Sequence, residues 1–134
     1  MIEEPIVQQV NTGNSLFETS AWFFMRASGI VLLFIAVFHL MYMHFIIPGG
    51  VIVINYDVVA TRWTDPAWGF FWRFFDLLLL TFGLTHGSNG LRNIVNDYVL
   101  NRNLQTVIRA ALILICLLLI AMGAIIIFSF QPVG

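Results

Sequence analysis

Three stretches of this chain are long and apolar enough to cross a bilayer, and that constrains its fold more than any other feature. A hydrocarbon core of about 30 Å takes roughly 20 mostly apolar residues in a helix. The first stretch runs from about Trp22 to Ile47 and stops at Pro48-Gly49-Gly50. The second starts after Pro66, at about residue 68, turns strongly apolar at Phe70 and continues through His86 to about Asp97. The third runs from about Leu104 to Phe130 and ends before Gln131-Pro132. The expected fold is therefore an all-α membrane protein: three transmembrane helices in one domain over residues 1–134, behind a polar N-terminal segment, 1–20. Composition agrees. Charged residues make up 10% of the chain and mean hydropathy is +0.91, whereas a soluble domain carries about 25% charged residues. Disorder is excluded on the same grounds. With no Lys and six Arg in no basic run, the chain is no candidate for nucleic-acid binding.

The lone Cys116 rules out an internal disulfide, a Cys-rich metal site and a CxxCH haem attachment, and within Leu112–Ile120 it reads as a small buried thiol. Met1 to Ser20 carries Glu3, Glu4 and Glu18 without a basic residue. It is neither a secretory signal nor a transit peptide, so the mature chain is expected to begin near Met1. Asn55 to Pro66, with Arg62, Trp63 and Asp65, is expected at the water interface. Arg26, Arg92, Arg102 and Arg109 lie around one set of span ends and Arg62 and Arg73 around the other. The positive-inside rule then puts the N-terminus and the second connection on the cytoplasmic side and the C-terminus outside.

Only the third span is apolar on all sides. The first two hold His, Arg, Asp, Asn and Ser at membrane depth, where such groups are costly against lipid. They are expected to face a protein interior or a cofactor, and three helices enclose little of either. A partner with its own helices is implied, this chain forming half of a bundle.

All three histidines, His39, His44 and His86, fall in the first two spans. Imidazole is a good iron ligand, and a helix holds it at fixed depth. On the second span His86, Gly90, Asn93 and Asp97 share one face, with Gly83 and Gly87 flanking it. Glycines beside a His let a porphyrin plane or a neighbouring helix approach, and spacing alone does not choose between ligation and helix packing. On the first span Ser28, Ile35 and His39 share a face, with Gly29 nearby and Arg26 at the head. His39 lies about 20 Å from Arg26, and His86 about 16 Å from Asp97, by helical rise. These depths leave open whether the two His serve one cofactor or two. His44 points away from His39 and is unassigned. Arg26, Arg92, Asp97 and Tyr98 gather at one boundary. Arg there suits a haem propionate and Tyr a quinone carbonyl, but snorkelling and the aromatic belt account for them equally well. Arg73 and Asp76, spaced i, i+3, are expected to pair.

The run His86-Gly-Ser-Asn-Gly-Leu-Arg-Asn-Ile-Val-Asn-Asp97-Tyr98, with the upstream Arg26-Ala27-Ser28, resembles the haem and quinone segments of succinate dehydrogenase small membrane-anchor subunits of the D type. That resemblance covers residues 20 to 130. It implies a complex II anchor of the tricarboxylic acid cycle and respiratory chain, in which soluble partners hold the FAD and the iron-sulfur clusters. His86 would be an axial ligand of haem b. Asp97 and Tyr98 would border the quinone pocket, and Arg26 and Ser28 would line it or hold propionates. His39, 47 residues before His86, departs from single-haem anchors and resembles the first-helix ligand of two-haem anchors, which commonly use menaquinone. The resemblance therefore favours two haems over one, with a sister anchor supplying the remaining ligands. The chain itself would carry neither flavin nor succinate site, and its membrane would be the cell inner membrane. A fumarate reductase anchor, a cofactor-free anchor and a proton-relay subunit are the alternatives.

Overall fold

The computed structural model describes residues 15–49 and 55–130, and all of its regular structure is helical. Helix α1 spans Ser15–Met41 and ends in a π-helical turn, Tyr42–Ile46. A short α2, Tyr56–Thr64, precedes the long α3, Gly69–Tyr98, and α4 covers Arg102–Ser129. Helix α1 begins within the stretch expected to be a polar N-terminal segment, because Ser15–Ser20 is already helical. Residues 1–14, Gly50 and the Gln131-Pro132 stop lie outside the described residues, as does the expected start near Met1. The breaker after the first span operates at Gly49, whose φ of 90° is open to glycine at little cost.

Leu16–Ile46 and Arg102–Ser129 are each long and apolar enough to cross a membrane. Helices α2 and α3 pass the same test only when taken together, and they are bent by 119° at the break between them. Local chemistry makes that bend. Asp65 precedes Pro66 and is held extended, at ψ 127°. Its Oδ1 accepts hydrogen bonds from the amides of Ala67 (2.9 Å) and Trp68 (2.7 Å), closing the turn that leads into α3. The fold-back brings Gly69 so close to the Trp63 carbonyl that a Cβ there would sit 2.5 Å from its oxygen. Glycine is required at that crossing.

Helices α3 and α4 form a hairpin clasped at both ends. At the tight end, Asn101 Oδ1 caps α4 through the amides of Asn103 and Leu104. Gln105 Nε2 donates to the Val99 carbonyl at 2.6 Å, and the Arg109 guanidinium donates to Asn96 Oδ1. These bonds reach into the last turn of α3, where carbonyls lack helical partners. At the open end, Arg73 on α3 donates to the Phe130 carbonyl (3.0 Å) beyond α4 and to the Trp63 carbonyl (2.9 Å).

Helix α1 lies antiparallel along α3. Phe38 meets Phe75 edge-on at 5.4 Å, Tyr42 packs on Trp72 at 4.2 Å, and Arg92 reaches Glu18 at 3.2 Å at the far end. Among the described residues the buried apolar side chains are Met43, Trp72, Val95, Cys116 and Ile127 alone. Cys116 is therefore the small buried thiol its surroundings suggest. Five side chains make no core of their own, so most of the apolar surface of these helices is left to an apolar environment outside the described residues.

Candidate functional site

Ser28 is the most buried residue described, 1% exposed, and it lies where α1 crosses α3. Its Oγ sits 2.8 Å from His86 Nδ1 and 3.4 Å from the Met25 carbonyl. With the proton on Nδ1, the imidazole donates to Ser28 Oγ, whose own hydrogen turns back to Met25. That tautomer leaves the Nε2 lone pair free, and among the described residues Nε2 takes no hydrogen bond. Gly29 lets the ring in: a Cβ there would lie 3.3 Å from His86 Cε1. On α3 the space beside His86 is open instead, since a Cβ at Gly83 or Gly87 would meet nothing within 4 Å. His86 is thus fixed against its own chain on one side and accessible on the other.

His39 occupies the other end of the same seam. Its ring stacks on Phe75, with centroids 6.1 Å apart and planes 11° from parallel. Its Nδ1 is 3.7 Å from Asp76 Oδ1, and both atoms are buried without a hydrogen bond. The other oxygen, Asp76 Oδ2, accepts from Arg62 Nη2 at 2.6 Å and from Trp63 Nε1 at 2.8 Å. The Arg62 guanidinium also lies over the Trp72 ring, 4.8 Å from its centroid. Asp76 therefore pairs with Arg62 across the α2–α3 bend, and the expected Arg73–Asp76 pair is absent because Arg73 is committed to backbone carbonyls. Arg62 is correspondingly buried.

This register separates the histidines. His39 meets α3 at Asp76 and Ser28 meets it at His86, ten residues further on, a spacing of about 15 Å along the helix. One iron cannot take both imidazoles.

The remaining sequence candidates are not drawn to either histidine. Arg26 is exposed, its guanidinium 4.3 Å over the Trp22 ring. Asp97 and Tyr98 are exposed at the end of α3, Tyr98 by 81%. Of the shared α3 face, His86 and Gly90 turn to α1, where Gly90 faces Met25, while Asn93 is exposed. His44, in the π-helical turn, hydrogen-bonds the Leu40 carbonyl at 2.8 Å and is exposed. Among the described residues no three His, Cys, Asp or Glu side chains gather as a metal cluster.

Residues 2–125 match the succinate dehydrogenase/fumarate reductase transmembrane subunit family. The chain belongs to that family. No individual curated protein matches it. Family membership makes it a membrane-spanning component of a succinate dehydrogenase/fumarate reductase complex with other subunits. Sequence reasoning missed the Arg62–Trp63–Asp76 cluster of this family member. The signal was present in Asp76 itself, an acid inside an apolar span that must find a partner.

Proposed function

We propose that this subunit binds haem b in a succinate:quinone oxidoreductase, with His86 and His39 each an axial ligand of a separate haem. The observation that carries the reading is the Ser28–His86 pair. A metal-bound His almost always gives its second ring nitrogen to a protein acceptor, which fixes the tautomer and the ring. Ser28 Oγ does that for His86 at 2.8 Å, and Asp76 Oδ1 stands in the same relation to His39 at a looser 3.7 Å. The donor set therefore fits haem iron at both places, and the open glycine side of α3 leaves room beside His86. When bound, haem supplies one-electron transfer. The chain contributes placement: two imidazoles at depths about 15 Å apart on one rigid seam, each presenting Nε2.

Two further ligands are then required, and a sister anchor subunit packed on the exposed faces would supply them. The soluble partners would be a flavoprotein subunit carrying FAD and an iron-sulfur subunit. Arg26, Asp97 and Tyr98 stand exposed near the same end of the seam as Ser28 and His86. They would meet the iron-sulfur subunit and quinone, menaquinone by the two-haem pattern, with Arg26 available to a propionate. The inner membrane, with the N-terminus cytoplasmic and the C-terminus outside, is the placement we propose. A fumarate reductase anchor is the nearest variant, since nothing in these residues encodes the direction of the reaction.

A reduced-minus-oxidised spectrum of the purified complex, with haem counted as its pyridine adduct per flavin, tests this. Two protohaems per flavin in the wild type, falling to one in His39→Leu, are expected. One haem, unaffected by His39→Leu, would return His39 to packing, and none would leave a bare anchor.

A further inference from the structure

The carboxylate of Asp76 is used asymmetrically. Oδ2 is fully engaged by two donors, Arg62 Nη2 and Trp63 Nε1, from consecutive residues of α2. Oδ1 takes no hydrogen bond, is buried, and faces His39 Nδ1, which is buried and equally bare. Two orphaned polar atoms of opposite kind, 3.7 Å apart, each carry a desolvation cost that one hydrogen bond would remove. Closing that gap takes less than about 1 Å to reach ordinary hydrogen-bond length. Arg62 and Trp63 hold the carboxylate from behind, and Phe75 fixes the plane of the ring.

We propose that Asp76 is the positioning residue for His39: Oδ1 accepts the Nδ1 proton, so that Nε2 is the nitrogen offered to iron and carries added electron density from the carboxylate. This rests on the reading of His39 as a haem ligand. His86 has only the neutral Ser28 hydroxyl in the corresponding place, so the two imidazoles differ in basicity. A carboxylate behind an axial His strengthens it as a donor and favours the more positive, oxidised metal. Arg62 opposes this charge while holding it in place. Removing the anion and removing the cation therefore act in opposite directions on the same centre.

The test is a redox titration of the purified complex, followed by visible absorption, in the wild type, Asp76→Asn, Arg62→Gln and the double variant. Asn loses the charge behind His39 while its one oxygen can still accept from Arg62 and Trp63. Asp76→Asn is expected to retain all haem and to raise the reduced-to-oxidised ratio of one haem about tenfold at fixed potential, 59 mV for one electron, leaving the other haem in place. Arg62→Gln is expected to shift the same haem the opposite way. The double variant, which leaves no unpaired charge if either single variant fails to assemble, should lie between them and above the wild type. Full haem content with unmoved potentials in Asp76→Asn, or in the double variant where that one is needed, overturns the proposal, as does a shift of the same sign in both single variants. If His39→Leu keeps every haem at its wild-type potential, the ligand reading itself fails, and that result differs from the other two.

Discussion

Glycines on the two sides of His86 should respond to the same substitution for different reasons. At Gly29, a Leu side chain enters a place where even Cβ would press on His86 Cε1 at 3.3 Å. The helix gains about 0.8 kcal/mol from replacing Gly. Against that stand about 1–3 kcal/mol of overpacking and about 0.5–1.5 kcal/mol for the Ser28–His86 hydrogen bond once the ring is pushed aside. Gly29→Leu should therefore destabilise the chain itself by about 1–3 kcal/mol, the clash outweighing propensity. At Gly83 and Gly87 a Cβ meets nothing within 4 Å, so Leu there should leave the isolated chain unharmed or slightly more stable, again by about 0.8 kcal/mol. Any loss at those positions measures what docks from outside. If a haem edge or a sister helix fills the space, overpacking by about 1–3 kcal/mol weakens docking roughly 5- to 150-fold. The assay is mild-detergent extraction and capture through the flavoprotein subunit, with this chain and haem quantified per flavin, beside the chain's level in the membrane. Gly87→Leu and Gly83→Leu should lower haem and co-purification while membrane level holds, whereas Gly29→Leu should lower all three. Wild-type haem and capture in both Gly83→Leu and Gly87→Leu would refute the reasoning.

Asp76→Leu should destabilise the α2–α3 bend by about 3–5 kcal/mol, because it strands a buried Arg62, while Asp76→Leu combined with Arg62→Met should return close to wild type; thermal unfolding of the purified complex by Trp fluorescence, with Trp63 and Trp72 beside the pair, reads this. Gly123 on α4 is filled from across the hairpin, since a Cβ there would overlap Leu80 Cδ2. Gly123→Val should cost about 1–3 kcal/mol in the same assay, and Leu80→Ala, which removes the obstructing methyls, should recover most of it.

The crossings were legible in the sequence because hydropathy needs no knowledge of neighbours. Trp22–Ile47 and Leu104–Phe130 each correspond to a helix within a few residues at most ends, the exception being the earlier start at Ser15. The Asp76 pairing was not legible, because a spacing rule sees only one helix. It favoured Arg73, three residues away, whereas the true partner arrives from α2 through a bend set by Asp65, Pro66 and Gly69. Ser28 and His86 stood out singly as polar groups at membrane depth, but their contact depends on the α1–α3 register, which no local pattern encodes. The same register separates His39 from His86 along the seam, where distances measured from the span ends had left their depths indistinguishable. Asp97 and Tyr98, grouped with His86 by sequence, lie beyond the reach of its ring, at an end of α3 where both side chains are exposed among the described residues.

The Arg62–Trp63–Asp76 cluster also bears on how the protein is made. Among the described residues, the polar partners of the Asp76 carboxylate all precede it in the chain: His39 on α1, then Arg62 and Trp63 on α2. At about 5–20 residues per second of synthesis, Arg62 and Trp63 leave the ribosome within a few seconds before Asp76 does. When α3 is handed to the bilayer, its acid can already be met by a cation and an indole, without α4 or any other polypeptide. Asp76, an acid inside an apolar helix, can thus have its ion pair with Arg62 from residues already made when α3 emerges.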